Sequence, residues 1–243
     1  VMDLERLGSF SPTRLSFARR LTRLMFEQQW QVSRSQFELD EKGHGFAIYC
    51  LQTPAYRYHV VVFSRHLEDA QRTDRVIAEA WDLTFCLLEG EVDAELMSAL
   101  SANVPLQEAG RQHPRLLVIS RANKSVRAFA TVSAALASGQ QPDIDHLKEA
   151  GYLYRTTAVY GNGKFGIADF DRIKGYQDFY QPFSAQMAAV YMLREFSVDQ
   201  VEHIARQADP GRAVALHPDA RRYLGIGNST GLGMAPFLIN HPQ

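Results

Sequence analysis

Three runs rich in β-branched and aromatic residues follow one another between Gln31 and Ser64: Gln31–Leu39, His44–Leu51 and Tyr56–Phe63. Only residues 40–43 and 52–55 separate them, with breaks at Glu41-Lys42-Gly43 and Thr53-Pro54. Breaks this short leave no room for a crossover, which needs a dozen residues or more, so consecutive strands must pair antiparallel. The stretch reads as a three-stranded meander able to present one apolar face to covering helices.

Helical patterns flank it. Ser11-Pro12 offers an N-cap and first turn, after which Leu15, Ala18, Leu21 and Met25 recur at helical spacing. From Thr73 the chain reads as mostly helical. A helix over 73–88, ended by Gly90, would bury Val76, Ile77, Trp81, Leu83, Leu87 and Leu88, with Phe85 against the meander. Its other face would gather Arg75, Glu79, Asp82 and Cys86 on one stripe. A shorter helix follows Asp93, and Arg115–Ser120 is either a strand or a helix entry. Further helices are expected over Ser120–Ser138, Asp143–Ala150 and Pro218–Leu224, and over Phe183–Arg206 as one kinked helix or two with Ser197 as a cap. Tyr152–Tyr160 is ambiguous. The expected fold class is α+β, a small antiparallel β-meander packed on a larger, mostly helical body. The whole of 1–243 reads as one domain with two subregions, 1–66 (helix plus meander) and 67–243 (mainly helical).

Two glycine-rich stretches carry the functional expectation. The first, Gly225 to Pro236, holds four glycines in nine residues with Asn228, Ser229 and Thr230 at its centre. Pro236 fits the first turn of a helix, and a glycine-rich turn feeding a helix N-terminus suits an anion. The second, Gly161-Asn162-Gly163-Lys164-Phe165-Gly166, follows Arg155, Thr156, Thr157 and Tyr160. Amides, hydroxyls, a guanidinium and an ammonium suit a phosphate or carboxylate. The ligand-binding set is therefore Arg121, Asn123, Arg155, Thr156, Tyr160, Gly161, Asn162, Gly163, Lys164, Gly227, Asn228, Ser229, Thr230 and Gly231. Each has a plain alternative, such as Lys164 pointing to water or Arg155 pairing with Glu149. Glu79 and Asp82, one helical turn apart, are the candidate acid–base pair, although salt bridges to Arg72, Arg75 or Arg121 would also account for them.

Other chemistries fail on spacing. A phosphate-binding P-loop would need glycine at 158 and Ser or Thr at 165, where Ala158 and Phe165 stand. Gly161, Gly163 and Gly166 fit the dinucleotide fingerprint literally but lack repeating βαβ surroundings. The eight histidines form no His-x-x-x-His pair, and no metal site is expected. No motif names a cofactor. A net charge of −1, from 26 basic and 27 acidic residues, argues against nucleic acid and membrane surfaces as partners. Cys50 and Cys86 in apolar surroundings suit reduced core thiols in a cytoplasmic protein, and no apolar run is long enough to span a membrane. Met234, Phe237, Leu238 and Ile239 form an apolar end, expected to be covered by a further C-terminal segment or by another subunit.

The expected function is an enzyme domain holding a small anionic metabolite between the two glycine-rich loops, with a carboxylate moving a proton. The competing expectation is a noncatalytic ligand-sensing or subunit-assembly module using the same loops.

Overall fold

The structure, a computed structural model, describes residues 14–66, 68, 81–102, 113–156, 166–168, 170–179 and 182–228. Helix α1 (Arg14–Glu27) leads into the meander β1 (Gln31–Leu39), β2 (Gly45–Gln52) and β3 (Arg57–Ser64). Then come β4 (Leu83–Glu89), α2 (Ala94–Ala102), β5 (Leu116–Lys124), α3 (Val126–Ala137), α4 (Ile144–Ala150), β6 (Tyr152–Thr156) and β7 (Gly166–Ala168). The chain continues through α5 (Phe170–Ile173), a 3-10 turn (Gln177–Phe179), α6 (Pro182–Ala208), α7 (Pro218–Arg221) and β8 (Gly225–Asn228).

The meander forms as expected, all pairs antiparallel. It is not a small separate sheet, however. It is one end of a single eight-stranded sheet, ordered β1-β2-β3-β4-β5-β6-β8 with β7 also pairing β5, and five strands come from beyond residue 66. The mixed α+β class holds, but the larger helical body does not.

A segment expected to be helical, and another read as either a strand or a helix entry, supply the centre of that sheet. Leu83–Glu89, expected as the end of a helix over 73–88, is strand β4. A short apolar run does not distinguish a strand buried on both faces from a buried helix. Here β4 lies between β3 and β5, and both of its faces are buried. The stripe of Glu79, Asp82 and Cys86 is therefore not a helical stripe: Asp82 precedes a strand, Cys86 lies within it, and Glu79 is outside the described residues. Trp81 and Phe85 are buried all the same. Likewise, β5 extends to Lys124, so α3 starts at Val126 rather than Ser120. Its polar end, Ser120 to Lys124, hides the alternation of faces that a strand requires.

Asp93 and Gly151 act as expected, whereas Ser197 caps no second helix. Asp93 caps α2 by accepting the Leu96 N–H at 2.8 Å. Helix α4 stops at Gly151, whose φ of 67° is the left-handed conformation a glycine adopts at little cost. Helix α6 is one continuous element of 27 residues, and Ser197 does not interrupt it because its hydroxyl donates back to the Arg194 carbonyl at 2.7 Å.

The register sorts side chains onto two faces. Ala47, Tyr49, Val60, Val62, Phe85 and Leu87 point to one face, where they pack with residues of α6, α3 and α1. Ile48, Val61, Cys86, Leu88 and Ile119 point to the other, beneath Leu96 and Leu100 of α2. A buried amide ties α6 to the first face: Gln200 Nε2 donates to Gly43 O at 2.8 Å and Ser64 Oγ at 2.9 Å, and Gln200 Oε1 accepts from Tyr154 Oη at 2.7 Å.

Phe85 is fully buried at the centre of the first face. Phe85→Ala is expected to lower stability by about 3–5 kcal/mol in urea melts, the range for emptying an aromatic core position; an effect under about 1 kcal/mol would contradict this packing.

Candidate functional site

On the second face the apolar cluster under α2 occupies only part of the sheet. Beyond it lies a polar row running across five strands or their immediate ends. Asn123, Arg155 and Gly227 are successive register partners on β5, β6 and β8. Asp82, one residue ahead of β4, continues the row by donating its N–H to Asn123 Oδ1 at 3.1 Å. Arg65, one residue past β3, donates its N–H to the Asp82 carbonyl at 3.1 Å. Period-two alternation puts Arg121 on this face as well, two residues before Asn123 and opposite Thr84.

The second glycine-rich stretch departs from this edge. Strands β6 and β7 share one edge of β5, β6 along Ala122–Lys124 and β7 along Val118–Ser120. Thr156 and Gly166, which pair with Ala122 and Ser120, thus stand on either side of Arg121 along one interrupted edge pairing. The first stretch departs beside it. Strand β8, the described start of the first stretch, runs parallel to β6, and their last residues, Asn228 and Thr156, are register partners. Thr156 Oγ1 donates to the Gly227 carbonyl at 3.3 Å, joining the two stems.

Among the ligand residues expected from the sequence, Arg121, Asn123, Arg155 and Gly227 share this one face. Thr156 is buried and Asn228 begins the departure of the first stretch. Tyr160, Gly161, Asn162, Gly163, Lys164, Ser229, Thr230 and Gly231 lie outside the described residues, as does Glu79. Gly225 to Asn228 is strand rather than loop. Packing also accounts for one glycine: a Cβ at Gly227 would stand 2.9 Å from the Tyr152 ring, closer than carbon atoms approach. Asp82 is buried, and its Oδ2 accepts the Lys124 N–H at 2.8 Å. It fastens strand ends together, a role that a helical stripe does not suggest.

Sequence reasoning overlooked Arg65 and Trp81. The only available signal was period two, since Arg65 prolongs the face of Phe63 past the end of β3. Arg65 Nε donates to the Trp81 carbonyl at 2.7 Å, and the Arg121 guanidinium lies over the Trp81 ring, 4.9 Å from its centroid. Trp81 is fully buried and Arg121 nearly so. Burial lowers the pKa of Arg121 to about 10, and the positive charge of Arg65 pushes in the same direction. Burial lowers that of Arg65 too, against the opposing pull of the Asp82 carboxylate. Two guanidinium ions are thus held near one another where each is partly removed from water. A cation over an indole face recovers roughly 0.5–2 kcal/mol of that cost.

A second feature lies at the start of β2. An open cavity of about 700 Å³ is lined by Asp40, Glu41, Lys42, His44, His66 and Glu68. Its groups largely answer one another: His44 Nδ1 is 3.5 Å from Asp40 Oδ2, and His66 Nε2 is 3.1 Å from Glu68 Oε1. Among the described residues no three His, Cys, Asp or Glu side chains are grouped to hold a metal ion. Cys86 is no nucleophile, since burial pushes its thiol up to about 12. No described helix is long and apolar enough to cross a membrane.

No protein-family model, curated protein or solved structure matches this chain.

His44 provides a pH test of the cavity. Burial lowers its pKa from 6.5, outweighing the attraction of Asp40, while Lys124 and His66 add to the lowering. The unfolded chain then binds more protons than the folded one, so stability rises with pH between the lowered value and 6.5. Asp40 does not interfere, because its own lowered pKa removes stability only as the pH falls below 3.8. The melting temperature of His44→Gln is expected to depend less on pH over that interval than that of the parent protein. Identical slopes would show that His44 is not buried as described.

Proposed function

We propose that this chain binds a small anionic molecule, a carboxylate or a phosphorylated compound, on the polar part of the second sheet face, where the two glycine-rich stretches leave neighbouring strands. The observation that carries the reading is the polar row itself. Arg65, Asn123 and Arg155 stand in line across the sheet with Arg121 beside them, and Asp82 is the one carboxylate in the row. Cationic and amide groups placed along a rigid sheet can orient an oxyanion with little loss of side-chain freedom.

Binding is the part of the expected function that these groups support best. Asp82 spends one carboxylate oxygen on the Lys124 N–H and its backbone on both neighbouring strands, so its protonation or movement would loosen the sheet end. A proton-transfer role for it therefore forms no part of the proposal. The noncatalytic alternative, a ligand-sensing module, uses the same face and the same groups.

Arg155 is exposed and tests the reading without disturbing the core. Arg155→Ala and Lys164→Ala are each expected to weaken the binding of inorganic phosphate or citrate by about 1–3 kcal/mol, as for a charge-assisted contact. Isothermal titration calorimetry measures it, and unchanged affinity in both variants would refute the proposed location.

A further inference from the structure

We propose that Arg65 and Trp81 form the deep end of this site and take the phosphoryl group of a phosphorylated small molecule. The inference rests on the anion-binding reading above: it names the ligand class, adds Trp81 and gives Arg65 a specific partner.

Two buried donors motivate it. Arg65 Nη2 and Trp81 Nε1 are each shielded from solvent, and neither meets an acceptor among the described residues. An N–H removed from water and left unpaired destabilises the fold, and more so when it belongs to a cation. Both lie in one small cluster, since Arg65 Nε already engages the Trp81 carbonyl. The chain's other tryptophan is different: Trp30 Nε1 donates to Gln28 Oε1 at 2.9 Å. A partner for Trp81 Nε1 would thus be an acceptor, and the Arg65 guanidinium beside it favours an anion.

The arrangement of donors points to a phosphoryl group. The indole N–H lies in the plane of its ring, whereas the Arg121 guanidinium lies above that plane. Donors at different heights match oxygens disposed tetrahedrally better than the two coplanar oxygens of a carboxylate. A phosphate monoester also carries close to two negative charges at neutral pH, which favours it over a carboxylate beside two guanidinium ions.

The two indole N–H groups permit a direct test. In a nitrogen–proton correlation spectrum the chain has two indole signals, and Trp30→Phe assigns the remaining one to Trp81. Inorganic phosphate is expected to move the Trp81 signal saturably, with the Trp30 signal unmoved and acetate at equal ionic strength without effect. Arg65→Met is expected to weaken the phosphate response about tenfold or more, as for a lost charged hydrogen bond. Should Arg65→Met not fold, Arg65→Lys keeps the charge without the planar fork and is expected to weaken the response as well. A Trp81 signal unmoved by phosphate, while calorimetry records phosphate binding that Arg155→Ala weakens, would overturn this inference and leave the anion site standing. An equal response to acetate would overturn the phosphoryl assignment. No heat from phosphate or citrate in the parent protein would remove both proposals together.

Discussion

Asp82 holds the geometry of the candidate site together. Its carbonyl accepts from Arg65, its N–H donates to Asn123, and its carboxylate accepts from Lys124. One buried residue thereby fastens the ends of β3, β4 and β5 at the point where their ladders stop. Strand ends fray when their last polar groups face water, and a buried carboxylate accepting a backbone N–H opposes that. With those ends fixed, Arg65, Asn123 and the side chains beyond them stand in a row instead of diverging.

The sheet divides its labour by face and by end. The first face is covered by α6 and its neighbours, and Gln200 adds specificity by linking a helix, a turn and two strands through one amide. The second face is apolar under α2 and polar beyond it. Burial that stabilises leucine and valine on that face costs free energy for guanidinium ions. Their presence there, with two donors lacking acceptors among the described residues, is a point at which the fold departs from what stability alone would select. Such departures concentrate where a protein binds something.

Neither the large open cavity at His44 and His66 nor the glycines by themselves make as strong a case. The cavity groups pair with one another, and Gly227 is required by the Tyr152 ring that lies against it. Glycine content is ambiguous because close packing and ligand approach both demand a missing Cβ. Unpaired buried donors are less ambiguous, since packing gives no reason for them.

Local chemistry was enough to define the elements governed by neighbours in sequence. The meander, the cap at Asp93, the stop at Gly151 and α1 follow from turn residues, capping side chains and periodicity, all of which act within a few residues. The polar residues Arg121, Asn123 and Arg155 were also legible as candidates from their company. Strand β4 was not, and β5 only as one of two readings of its first half, because a strand buried on both faces has no alternation to display and its identity depends on neighbours distant in the chain. The same cause hid the site. Arg65, Asp82 and Asn123 are neighbours only because β3, β4 and β5 pair, and Trp81 meets Arg121 only across that pairing. Sequence determined which groups are cationic, apolar or able to turn the chain; the pairing of strands far apart in sequence decided which of them share a face, since register is a property of the assembled sheet.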